Sequence, residues 1–163
     1  MLFRGILSLQ NSYWRGAKTA SILSSMALRI EFDPVNKILL IRFEGQLTDE
    51  LVAEYSEAIR KYWTAADASA GVVDFSSVSE LSLSAECIRQ LAKREPCIPD
   101  APSRPRVIVA PTTLGFGLAR MFQILGEDAR PLLSVAHTLD EAFAALGVQS
   151  PQFEPLKGPS EVN

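Results

Sequence analysis

The order of the apolar runs between Ala27 and Val148 constrains this chain more than any other feature. Leu28, Ile30 and Phe32 alternate with Arg29 and Glu31, the period of a half-buried strand. Turn chemistry follows in Asp33-Pro34-Val35-Asn36, and Ile38 to Phe43 then forms a second strand. A connection this short predicts an antiparallel hairpin. Thr48 can cap a helix whose first turn holds Asp49 and Glu50, favourable to the helix dipole. Its apolar stripe is Leu51, Val52, Tyr55, Ile59, Tyr62 and Trp63.

Three further strand–helix pairs complete the domain. Gly71 to Phe75 is nearly continuous in apolar residues and reads as a central strand. Ser84 can cap the next helix, with Cys87, Ile88 and Leu91 inward, and this helix must stop before Pro96. Val107-Ile108-Val109 is the fourth strand. Leu114, Leu118, Met121, Phe122 and Leu125 then mark a third helix, and Leu132 to Ala136 a fifth strand. Thr138-Leu139-Asp140-Glu141 is a capping box, Leu139, Phe143 and Leu146 face inward, and Gly147 closes the last helix. Strands alternating with helices require parallel pairing through right-handed crossovers. The expected architecture is therefore a single α/β domain over residues 26–148, β-β-α-β-α-β-α-β-α, with a mixed, mostly parallel sheet of about five strands.

The two ends differ from this core. Residues 1–25 carry Arg4, Arg15 and Lys18 and no acid, which leaves 13 bases against 19 acids in the remainder. The segment is too poor in apolar residues and cleavage-site chemistry for a secretory signal. A transit peptide, or translation beginning at Met26, both account for it, and either way it is expected outside the fold. Residues 149–163, with Pro151, Pro155, Gly158 and Pro159, are expected to be disordered.

Charge and composition narrow the function classes. A net-acidic domain without a basic stripe repels phosphate backbones, so nucleic acid is not an expected partner. No apolar run reaches the length of a membrane span. Cys87 and Cys97 are too few for a disulfide scaffold and lack metal-type spacing, which fits reduced thiols in a cytoplasmic protein. No metal and no cofactor is implied.

Four segments, Ile41-Arg42-Phe43-Glu44-Gly45, Val73-Asp74-Phe75, Leu83-Ser84-Ala85-Glu86 and Ala110-Pro111 through Gly117-Leu118-Ala119-Arg120-Met121, resemble in order and spacing the STAS fold. More narrowly, they resemble its uncharacterised bacterial SpoIIAA-like branch, also compared with CRAL-TRIO lipid carriers. The likeness covers roughly residues 27–147. It implies a non-enzymatic regulatory module that binds another protein. In anti-anti-sigma proteins of this fold the switch is a phosphorylatable serine opening the helix after the third strand. It follows an aspartate and precedes a serine or threonine and a glycine. The comparable positions here are Ser84 and, two residues before it, Ser82. The chain departs from the pattern: the aspartate and glycine are absent, and Glu86 would repel a phosphate. Ser84 as a plain N-cap is the competing reading.

Pro111, Thr112, Thr113, Gly115, Gly117 and Arg120 form the other candidate surface, for a ligand or a partner. They run from the carboxyl end of a strand into a helix, where open α/β sheets commonly bind ligands. The two glycines permit close approach and Arg120 can meet an anion. Small residues that let the helix pack, with Arg120 in a surface ion pair, are the structural alternative. Helices 49–63 and 114–125 parting around a cavity, with Arg120 near one end, would make a carrier or sensor of a small apolar or anionic ligand. A hydrolase using Ser84 or Cys97 with His137, the single histidine, has no support from spacing. Asp74 interrupts an apolar strand and needs hydrogen bonds from loop amides if buried. Cys87 reads as core, Cys97 as an exposed loop thiol and His137 as a surface residue. Trp63 belongs to the core stripe or lines a cleft at its helix end.

Overall fold

The computed structural model describes residues 27–96, 98 and 100–156. Strand β1 (Ala27–Asp33) turns into β2 (Ile38–Thr48), and the two pair antiparallel with Ile30 opposite Ile41. Helix α1 (Asp49–Ala66) leads to β3 (Ala70–Ser82), α2 (Ala85–Lys93) and a short 3-10 turn at Ala101–Ser103. Then come β4 (Arg106–Val109), α3 (Thr113–Leu125), β5 (Leu133–Ala136), α4 (Leu139–Ala145) and β6 (Glu154–Pro155). The strands form one sheet in the order β5-β4-β3-β2-β1-β6. Strands β2 to β5 are parallel, and β1 is antiparallel to both its neighbours.

Strand alternation divides the core into two layers. Leu39, Ile41 and Phe43 of β2, with Val73 and Phe75 of β3, face the side covered by α1, α2 and α3. Ile38 and Leu40, with Val72, Val107 and Val109, face the side covered by α4. Trp63 is 2% exposed and is the one fully buried residue of α1. Its ring lies so close over Gly71 that a β-carbon there would come within 2.2 Å of Cζ3. Trp63 thus belongs to the core and lines no cleft. The other residues of the α1 stripe are only partly buried.

The mixed, mostly parallel sheet is as expected, and three features add to it. The sheet has a sixth strand, because the chain beyond residue 148 does not leave the domain at once. Glu154 and Pro155 pair with Phe32 and Glu31 of β1, the Gln152 N–H donates to Asp33 Oδ2 at 3.1 Å, and Phe153 packs on Phe143. A free edge of β1 and a buried carboxylate outweigh the proline-rich composition. Residues 157–163 lie outside the described residues, as do residues 1–26 and Cys97. Second, β2 and β3 run on past Phe43 and Phe75 to Thr48 and Ser82 as a two-stranded extension, with register shifts between Arg42 and Glu44 and between Gly45 and Gln46. Gly45 has φ +92, a left-handed value that glycine tolerates, at this irregularity. Leu47 is fully buried and anchors the extension. Third, the alternating polar residues of β1 are not all solvated: Glu31 is buried, held by Arg42.

Candidate functional site

All four α-helices start at the carboxyl ends of the strands, and each has a serine or threonine cap. Thr48, Ser84, Thr112 and Thr138 accept from the N–H groups of Leu51, Cys87, Gly115 and Glu141. The capping box of α4 is closed by Glu141, whose carboxylate accepts from the His137 N–H at 2.8 Å rather than from Thr138. Gly147 takes φ +70 after α4, as a helix-closing glycine does.

Among these caps Ser84 has an additional partner. Its N–H and its hydroxyl both donate to Asp49, at 2.9 and 2.7 Å, so the first residue of α1 clasps the first turn of α2. Hydrogen bonds from the Ser84 side chain and backbone hold the Asp49 carboxyl below its ordinary range. The Cys87 thiol, half-buried one turn along α2, is pushed up by burial and by the Asp49 charge, which makes it a poor nucleophile. Ser82 is exposed at the end of β3 and donates to Glu80 Oε1 at 3.1 Å. Ser84 is also exposed.

The second candidate surface divides. Pro111, Thr112, Thr113, Gly117 and Arg120 are exposed, while Gly115 is buried. Gly115 is needed for packing, since a β-carbon would meet the Thr112 Oγ1 at 2.9 Å; Gly117 has no neighbour within 4 Å of that position. The close approach expected of both glycines therefore holds for Gly115 alone. The Arg120 guanidinium donates to the Gln123 side chain one turn on, and Gln123 in turn donates to the Leu133 carbonyl. The His137 ring stacks on Phe116, centroids 3.9 Å apart. The hydroxyl of Ser84 points to Asp49, not to an imidazole.

Between the sheet and the three helices lies a cavity of about 230 Å³. Val52, Ser56 and Ile59 of α1, Ile88 and Leu91 of α2, and Gly115, Leu118, Ala119 and Phe122 of α3 line it, with Phe43, Val73, Phe75 and Ile108 from the sheet. These residues repeat at helical spacing, so three apolar stripes face a shared space. Arg120 is not in this lining; the arginines there are Arg94, Arg106 and Arg130, with Glu95 the one carboxylate.

Sequence reasoning passed over two buried arrangements. Arg130 caps α2 from a distance: its guanidinium donates to the carbonyls of Leu91, Ala92 and Arg94 and lies 4.8 Å above the Phe122 ring. This satisfies carbonyls that a helix end leaves open. On the opposite face, Arg42 bridges Glu31 at 2.8 Å and Asp74 at 3.6 Å, and Asp74 Oδ1 accepts from the Ser76 N–H. Asp74 is thus a structural carboxylate, and the amide that meets it comes from Ser76 within β3 itself rather than from a loop. The register signals this pair, because Arg42 stands directly opposite Asp74. No local pattern signals Arg130.

Among the described residues no helix is long and apolar enough to cross a membrane. No protein-family model and no curated protein sequence matches the chain. Solved structures do. The anti-sigma factor antagonist SpoIIAA in its unphosphorylated form aligns at a TM-score of 0.51 with 15% identity, over 76% of this chain and all of that one. An anti-sigma factor antagonist from Mycobacterium paratuberculosis aligns at 0.47 with 20% identity, over 78% of this chain and 99% of that one. An uncharacterised protein with a SpoIIAA-like fold from Shewanella loihica aligns at 0.48 with 17% identity, over 78% and 98%. The element order and the SpoIIAA alignment together give this chain a STAS-type, SpoIIAA-like α/β fold.

Proposed function

We propose that this chain is a non-enzymatic, STAS-like regulatory module that works in the cytoplasm by binding another protein. The observation that carries the reading is the outer face of α3, where Leu114 is 59%, Ile124 61% and Leu125 51% exposed, with Gly117 and half-buried Met121 between them. These positions lie along one side of the thirteen-residue helix. Apolar surface gathered along one helix, with its inner stripe already committed to the protein interior, marks a contact surface. The fold shared with an anti-sigma factor antagonist supports the same class of role, although fold alone does not fix function.

Ser84 is the control point in this reading. A phosphate would bring nearly two negative charges to an oxygen now 2.7 Å from the Asp49 carboxylate, with Glu86 close by in sequence. The clasp between α1 and α2 cannot survive that repulsion, and α2 packs directly on α3. Modification would therefore act by loosening the helical face, not by adding a contact.

The test compares the tagged full chain with its L114E/I124E variant, both expressed at the native locus. A partner recovered with the wild type and lost with the variant, at equal thermal stability, is the expected result. Equal recovery from both would remove the α3 face from the proposal.

A further inference from the structure

We infer that the cavity beneath α1, α2 and α3 is a binding site for a single-chain carboxylate of about eight to ten carbons. This is independent of the protein-binding proposal. A folded core ordinarily closes over its apolar side chains at crystal-like density, and dry voids are kept small because their linings lose dispersion contacts. Here Val52 and Ile59 of α1 face Phe75 and Ile108 of the sheet across about 230 Å³ of space. An enclosed apolar space of about 150 Å³ accommodates benzene; this one, open at one side, holds about half as much again, the bulk of a medium-length alkyl chain.

The lining also states which end of the ligand is charged. Its carboxylate-to-guanidinium balance is one to three, Glu95 against Arg94, Arg106 and Arg130. All three arginines sit at or near the amino ends of β4 and β5 and the last turn of α2, so the positive charge is gathered at one end. Arg130 is buried and already committed to the carbonyls that end α2, and Arg106 is buried at the start of β4, so the head group falls to Arg94. Arg94 is exposed just beyond α2, placed to meet a head group that stays at the water boundary while the chain lies inside. Ser56, the polar residue α1 contributes, already donates its hydroxyl to the Val52 carbonyl and asks nothing of a ligand.

The experiment titrates the full-length protein with decanoate and with decanol below their aggregation limits, following heat and methyl chemical shifts. Saturable one-to-one binding of decanoate, tighter than decanol, is expected, with shifts at Val52, Ile88 and Leu118. Ser56→Leu fills the cavity; it should weaken decanoate at least about tenfold while leaving the melting temperature equal or higher. Arg94→Gln should weaken decanoate about tenfold, the effect of one charge-assisted hydrogen bond, and leave decanol unchanged. Absence of binding by the wild type, or unchanged binding in a folded Ser56→Leu variant, would overturn the site. Equal affinity for acid and alcohol would overturn the carboxylate assignment. Loss of the α3 partner in the interaction test would touch neither result.

Discussion

Asp33 carries more of the fold than its position in a hairpin turn suggests. Burial pushes its carboxyl up, but hydrogen bonds from the Asn36 side chain and the N–H groups of Asn36, Gln152 and Val35 outweigh that and leave it below the ordinary range. A group whose pKa is lower folded than unfolded adds stability above the unfolded value, about 3.9 for aspartate, and loses it as the pH falls through the folded value. The same sign applies to Asp49. The urea midpoint of the wild type should therefore fall steeply below about pH 4. Asp33→Asn should lower the midpoint at pH 7 and flatten the acid limb. An unchanged acid limb would assign the acid sensitivity to other carboxylates. The turn itself was legible in Asp33-Pro34-Val35-Asn36. Its hold on Gln152 was not, because a bond across 119 residues leaves no local pattern.

At the scale of elements, all nine predicted strands and helices are present, and the four caps fall where the Ser and Thr residues indicate. Period and capping are local properties, so sequence carries them well. What escaped is non-local: the extension of β2 and β3, the strand β6 on the open edge of β1, and Arg130 closing α2. The two glycines with contrasting surroundings test the packing directly. Gly71→Ala sets a methyl against the Trp63 ring and should cost about 3 kcal/mol. Gly117→Ala meets nothing and should gain up to about 1 kcal/mol from helix propensity. Chemical denaturation of both variants reads the difference, and a tolerated Gly71→Ala would mean that α1 is looser than its seat on β3 implies. The Ser84–Asp49 clasp also belongs here. Ser84→Ala should lose about 1 kcal/mol with the cap but keep the protein partner. Ser84→Asp, which sets two carboxylates face to face, should release it. Retention of the partner by Ser84→Asp would remove Ser84 as the control point.

Taken whole, the molecule is a sheet with unequal sides. One side is covered by α4 and the chain that follows it. The other carries three helices over a cavity and turns the apolar outer face of α3 to solvent. The candidate segment from Pro111 to Arg120 was located from its place after a strand, which is a rule of topology. Which of its residues face inward was not legible, since Gly115 and Gly117 look alike in sequence and differ only in what surrounds them. If the α3 face binds another protein, a photo-crosslinking residue placed at Ile124 in the full chain and activated in the native cell will capture it. The same residue at Glu57, exposed on α1, is the control. A discrete adduct with a second protein is expected from position 124 and none from position 57. No adduct at position 124, or the same adducts from both, would contradict it.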